Sequence, residues 1–189
     1  MDTIMRKPSD VLIVVAVVAI LAGMLLPALN MAKEKAKQAN CTNNLKQIGL
    51  ASFQYAMSYD DCFPASSETS RPTWRDGKSG VSLDLLRETD ILTDPKCYIC
   101  LSKKGAAAAQ VGKSLDGHVT YNWCDGFNAG DAALSAIACD GFDNHKTSGR
   151  FLRGDGSVSA ANESSGKSWI YDSVFKNACY NKEPPDYSF

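Results

Sequence analysis

Residues 11–29 read VLIVVAVVAILAGMLLPAL, a stretch with no charged or strongly polar side chain. As an α-helix such a run is about 28 Å long, close to the hydrocarbon thickness of a bilayer. Lipid offers no water to backbone N–H and C=O groups, and a helix pairs its own. The run therefore predicts a membrane-inserting helix. A core helix of this length would carry some polar positions. A cleaved secretory signal has a shorter apolar region and a small-x-small site, which Met24–Leu29 does not offer. Pro27 falls inside the run, where it predicts a bend and not an end. Arg6 and Lys7 precede the run and Lys33, Lys35 and Lys37 follow it, so flanking charge alone does not orient it.

The helical pattern does not stop at Leu29. Residues 30–40 are good helix formers without proline, and Cys41, Leu45, Ile48, Ser52, Tyr55 and Tyr59 then recur at steps of three and four. That spacing is one face of a helix. One continuous helix from about Val11 to Tyr59 is expected, apolar all round in its first half and amphipathic in its second. The stripe needs a cover, so the second half packs under the rest of the chain. Four segments follow: 1–10 as a leader-like cytoplasmic piece, 11–29 as the transmembrane half of the helix, 30–59 as its soluble half, and 60–189 as a globular domain.

Residues 60–95 hold Pro64, Pro72, Gly77, Gly80 and Pro95 and read as a long loop with a short helix at Ser82–Glu88. CYICL at 97–101 predicts a strand, 102–117 a surface loop with a helical turn at Ala106–Val111, and HVTYNW at 118–123 a strand. Ala133–Cys139 predicts another strand. Arg150–Leu152 and Ser157–Ala160 flank Asp155-Gly156, a hairpin signal. The tail after Asn177 contains Pro184-Pro185 and reads as irregular. The expected class is α+β: a long N-terminal helix packed on a small antiparallel β-sheet.

With 20 Lys+Arg against 21 Asp+Glu the net charge is -1, which gives no basic surface for nucleic acid. Seven cysteines are many for 189 residues. A chain exported past a membrane meets an oxidising compartment, where structural disulfides are the expected use. An odd count leaves at least one thiol over. Cys41, a small hydrophobe on the helix stripe, is the natural choice for it. Cys62, Cys97, Cys100, Cys124, Cys139 and Cys179 are then the disulfide candidates, with 15 connectivities open. Cys97-x-x-Cys100 also admits a redox pair, or a zinc half-site recruiting His118 and Cys124 in no standard spacing. Asp125, Asp131, Asp140 and Asp143 are oxygen donors of the type Ca²⁺ takes, though Asp/Asn-Gly turns explain them without an ion. Otherwise no cofactor is expected. No nucleophile motif accompanies His145 and Asp155 and no phosphate-binding glycine loop is present, so no enzymatic activity is expected.

The stretch ILAGMLLPALNMAKEKAKQANCTNNLKQ closely resembles type IV pilin-like proteins of the type II secretion pseudopilin (G-type) kind, in particular a set found in Planctomycetes and Lentisphaerae. Tyr59-Asp60-Asp61-Cys62-Phe63-Pro64, Asp94-Pro95-Lys96 before Cys100, and Tyr121-Asn122 match that set in order. His145, nine residues, then Asp155-Gly156 fits its H-X9-DG signature. The resemblance implies a pilin-like fold and a structural subunit of a type IV pilus or secretion pseudopilus filament. Its partners would be copies of itself, other pseudopilins, an inner-membrane assembly platform, the lipid bilayer and a prepilin peptidase. The alternative is a monomeric membrane-anchored exported binding domain that no longer assembles. The family's leader ends in Gly followed by Phe-Thr-Leu-Ile-Glu, cut after the Gly and methylated on the Phe. Here Met5 holds the cleavage position, Arg6-Lys7-Pro8-Ser9 follows, and Asp10 stands where the family's Glu pairs with a neighbouring subunit's amine. Small residues at Ala16, Ala19, Ala22 and Gly23, with Pro27, would let helices approach closely in the filament core. The implied topology is single-pass in the inner membrane, N-terminus cytoplasmic and C-terminal domain periplasmic, or an extracytoplasmic filament after assembly.

Overall fold

A computed structural model describes residues 8–66, 73–74, 79–103, 105–130, 135–140, 144–145 and 148–162. The chain divides into two units, Met1–Ala36 and Lys37–Phe189. Helix α1 spans Pro8–Ala56 with Pro27 inside it. Proline suits the first turn of a helix, where its missing N–H would have had no partner. At position 27 it cannot bond the Gly23 carbonyl four residues earlier. In the first unit every residue from Val11 to Lys33 is exposed. The chain thus has a helix long and apolar enough to cross a membrane, and its full exposure sets it apart from a soluble core helix.

In the second unit α1 carries the expected stripe. Cys41, Leu45, Ile48 and Ser52 are fully buried, with Ala51, Tyr55 and Ala56 beside them. The buried Ser52 hydroxyl is satisfied within the helix, donating to the Ile48 carbonyl at 2.8 Å. The stripe ends sooner than expected. Tyr59 is 45% exposed and stacks on Tyr55 at 4.1 Å between ring centroids. The helix has already stopped, because Asp60 and Asp61 take left-handed φ values of 49° and 57°. Aspartate tolerates that conformation better than most side chains. The Asp61 N–H caps the Ala56 carbonyl at 3.0 Å.

Among the described residues five strands form one antiparallel sheet in chain order: β1 (Thr73–Trp74), β2 (Tyr121–Asp125), β3 (Ala136–Asp140), β4 (Ser148–Arg153) and β5 (Val158–Asn162). β3 is central and buried along its whole length. The predicted hairpin is present. Gly156 sits at φ 80°, and its N–H returns to the Arg153 carbonyl at 2.9 Å, so glycine meets the turn's need for a positive φ. Trp123, Ile137, Ala138 and Leu152 from the sheet join the α1 stripe in one apolar cluster with Leu83 and Leu86. This is the expected α+β, pilin-like arrangement.

The strand expected over 118–123 runs Tyr121–Asp125, and three other local expectations fail. CYICL is not a strand: Pro95–Tyr98 is a 3-10 turn. The Asp94 carboxylate accepts the Lys96 N–H at 2.9 Å and Pro95 opens the turn, so a capping signal overrides the apolar run. Ala106–Val111 forms no helix; the His118 ring instead meets the Ala107 carbonyl at 3.1 Å and holds that loop open. Helix α2, Ser79–Glu88, begins three residues earlier than expected, which lets the Ser79 hydroxyl accept the Trp123 N–H at 2.9 Å. The irregular tail after Asn177 and the start of the Ala133 strand lie outside the described residues.

α2 packs against the loop at Leu115 so closely that a Cβ on Gly80 would lie 2.6 Å from the Leu115 carbonyl oxygen and 2.8 Å from the Asp116 Cα. Both neighbours are backbone and cannot rotate away. Gly80→Ala gains up to about 1 kcal/mol of helix propensity, and overpacking costs about 1–3 kcal/mol. A net loss of roughly 1–2 kcal/mol is expected in urea denaturation; a stabilised variant would show that the loop yields.

Candidate functional site

The side chains with the most chemistry meet beneath the sheet's β3–β4 end. Cys41, on the buried face of α1, is disulfide-bonded to Cys100, with a Cα–Cα distance of 5.5 Å. Cys100 is brought there by its approach segment. One turn along α1 from Cys41, the Asn44 side-chain amide donates to the Ile99 carbonyl at 3.0 Å, and the Cys100 N–H donates to the Thr120 hydroxyl. The His145 Nε2 lies 3.4 Å from the Cys100 Sγ and 3.8 Å from the Asp140 Oδ2. Asp140 is the last residue of β3, and its Oδ2 accepts the Arg150 N–H from β4 at 2.9 Å. One donor atom from each of Cys41, Cys100, Asp140 and His145 lies within 4.8 Å of the other three, and all four residues are buried.

The Asp140 Oδ1 is buried without a hydrogen-bond partner. Burial pushes the Asp140 carboxyl up to about 6, although the adjacent His145, the Arg150 N–H and the Asn144 side chain favour its charged form. Two sulfurs, an imidazole nitrogen and a carboxylate oxygen are the donor types of a closed tetrahedral metal centre. They are equally a disulfide with an imidazole at its edge.

Cys41 is therefore not the leftover thiol. A cysteine on a helix stripe packs as a small hydrophobe until another cysteine is placed over it, and that partner arrives from a segment 59 residues away. Of the disulfide candidates Cys100 is bonded among the described residues; Cys62 and Cys97 carry thiols, and Cys179 lies outside the described residues. The Cys97 Sγ donates to the Gln47 Oε1 at 2.9 Å. Burial, and secondarily the Asp94 charge, push the Cys97 thiol above its ordinary value, the reverse of an activated redox cysteine. His118 is exposed and bound to the Ala107 carbonyl, so the Cys97/Cys100/His118/Cys124 zinc set does not assemble.

The two described calcium candidates, Asp125 and Asp140, stand apart. Asp140 pairs in register with Tyr121, whereas Asp125 ends β2 four residues on, roughly 13 Å away along the strand. Asp125 is buried, and its Oδ2 accepts the Ser66 hydroxyl at 3.2 Å. Asp131 and Asp143 lie outside the described residues.

The signature residues separate as well. His145 precedes β4 and joins the cysteine cluster, while Asp155 and Gly156 follow β4 in its turn, one strand length of roughly 20 Å away. The Asp155 side chain accepts the Ser157 N–H at 2.8 Å, and that bond with the Ser157 side chain holds its carboxyl below the ordinary range. The nine-residue interval is one strand and its turn. Ala16, Ala19, Ala22 and Gly23 lie on the exposed stretch of α1 and Asp10 in its first turn; Met5 and Arg6 lie outside the described residues.

Sequence reasoning missed the union of Cys41, Cys100, Asp140 and His145. One signal was present: Asp140 is an acid closing a strand whose other members, Ala-Ile-Ala-Cys, are all small or apolar, five residues before a histidine.

No curated protein and no solved structure matches the chain. The model of one protein family matches residues 30–124, taking in Cys41 and Cys100 and stopping before Asp140 and His145. That match covers just over half of the sequence, and the chain belongs to the family described as Protein of unknown function (DUF1559).

Proposed function

We propose that this chain is a structural, non-enzymatic subunit of a type IV pilus-like or secretion pseudopilus filament, held before assembly in the inner membrane with its folded unit outside the cytoplasm. One observation carries this. The charge-free Val11–Leu29 stretch is exposed on every side, yet belongs to the same helix whose later turns form a folded core. A simple anchor needs no such continuity, since a flexible tether serves it as well. Ala16, Ala19 and Ala22 or Gly23 recur at steps of three and four, so one stripe of the apolar helix is small enough for neighbouring helices to approach. Copies of this helix would pack in the filament interior with the folded units outside.

Gly23→Leu tests the packing directly. Beyond the helix's own local backbone nothing lies within 4 Å of a Cβ at this position, and leucine is as apolar as lipid, so membrane partition and the folded unit should not change. Close helix packing would be blocked. In cells expressing the full chain, cross-linked multimers or sheared filaments are expected to fall at least tenfold in Gly23→Leu. Equal multimer yield from both chains, or a wild-type chain that stays monomeric in the membrane, refutes assembly through this stripe. The monomeric outcome favours the anchored binding domain.

A further inference from the structure

We propose that, once reduced, the Cys41–Cys100 pair together with His145 and Asp140 forms a closed zinc site. The inference is independent of filament assembly. It rests first on donor type. Two thiolates, an imidazole and a carboxylate match the borderline-soft preference of Zn²⁺ and differ from the all-oxygen shells of Ca²⁺ and Mg²⁺. It rests next on spacing. Ligands at 2.0–2.3 Å from a tetrahedral ion stand about 3.3–3.8 Å apart. The His145 Nε2 already lies 3.4 Å from the Cys100 Sγ and 3.8 Å from the Asp140 Oδ2, at that spacing from both, and all four donor atoms lie within 4.8 Å of one another.

The third support is the supporting shell. A metal-bound carboxylate is normally held by an outer hydrogen bond, and here the Arg150 N–H holds Asp140 through its Oδ2. The Oδ2 that faces His145 keeps a second lone pair for the ion, and Oδ1 is buried without a hydrogen-bond partner, so the carboxylate has acceptor capacity to spare for a cation. The backbone supports come from separate elements: α1 for Cys41, the Asn44-pinned segment for Cys100, the end of β3 for Asp140. All four residues are buried, which leaves no open coordination position and makes the site structural.

The chemistry balances in two steps. A dithiol reductant gives the disulfide two electrons and two protons and leaves as its own disulfide, so the Cys41–Cys100 S–S bond breaks and two thiols form. Zn²⁺ then displaces one proton from each thiol, releasing two protons to solvent. The same four residues would thus close the fold by a covalent bond in an oxidising compartment and by a metal in a reducing one.

The test uses the full chain in detergent, reduced with a phosphine, desalted without oxygen and titrated with Co²⁺ as a spectroscopic probe. One Co²⁺ per chain is expected, with thiolate-to-cobalt charge-transfer absorption and intense tetrahedral d–d bands, displaced by one equivalent of Zn²⁺. The oxidised chain should show neither band. Asp140→Asn and His145→Gln should each weaken binding at least tenfold, Cys41→Ser should remove part of the charge-transfer band, and Cys97→Ser should change nothing. X-ray absorption on the zinc-loaded wild type needs no variant and is expected to count two sulfur and two nitrogen or oxygen ligands. A shell of three or four sulfurs, no thiolate band in the reduced chain, or a spectrum unchanged in Cys41→Ser overturns the proposal.

Discussion

Breaking the Cys41–Cys100 bond without supplying a metal is expected to cost the folded unit about 4 kcal/mol. The bond closes a sequence separation of 59 residues, and the chain-entropy model gives roughly that figure for a loop of this length. Native domains are stable by only about 5–15 kcal/mol, so much of the margin is at stake. Guanidinium denaturation with and without a phosphine reductant measures it, using tryptophan emission because Trp123 is fully buried. The Cys41→Ala/Cys100→Ala chain should resemble the reduced wild type and not respond to reductant. A midpoint indifferent to reductant would mean that the bond contributes little. Adding Zn²⁺ should restore stability to the reduced wild type and leave the double variant unchanged, which ties this measurement to the proposed metal site through a different readout.

The long helix was legible because its signals are local and strong. A run from Val11 to Leu29 without a polar side chain has few other folds open to it, and the three-and-four spacing from Cys41 to Tyr55 marks a buried face wherever the cover comes from. Asp155-Gly156 was legible for the same reason, since an Asp-Gly pair marks a turn whose glycine takes the positive φ. CYICL was misread because β propensity is a statement about packing on a pleated surface, whereas Asp94 and Pro95 act on the backbone beside them. The site was harder still. Cys41 carries no local mark that distinguishes a packed thiol from a bonded one. Its partner is delivered by long-range contacts, Asn44 to the Ile99 carbonyl and the Cys100 N–H to the Thr120 hydroxyl among them, and no periodicity encodes such contacts. His145 was conspicuous through its spacing to Asp155, but that spacing led toward the turn, while the histidine side chain works at the strand's other end.

Trp123→Ala should be at least as damaging as loss of the disulfide. Trp123 is the largest fully buried side chain among the described residues, in mid-strand on β2 and in register with Ala138 of β3. Truncating a buried aromatic to alanine costs about 3–5 kcal/mol through lost burial and the cavity left behind. A polar cost adds to it. The indole Nε1–H donates to the Pro64 carbonyl at 2.8 Å, and an acceptor left unpaired in the interior costs about 1–3 kcal/mol more. That contact also ties the segment leaving α1 to the sheet, while the Trp123 N–H holds the start of α2 through Ser79. Trp123→Phe separates the two contributions: it keeps most of the ring volume and loses the indole donor, so about 1–2 kcal/mol is expected. Urea denaturation followed by far-UV circular dichroism, which does not depend on the deleted fluorophore, should rank wild type above Trp123→Phe and Trp123→Ala last. If the two variants were equally unstable, the Pro64 hydrogen bond would dominate over packing. If Trp123→Phe matched the wild type, the ring would act through volume alone. The apolar stretch at Val11–Leu29 is a test within the same chain: none of it contributes to this core, so a tryptophan variant that unfolds the second unit should still partition into membranes.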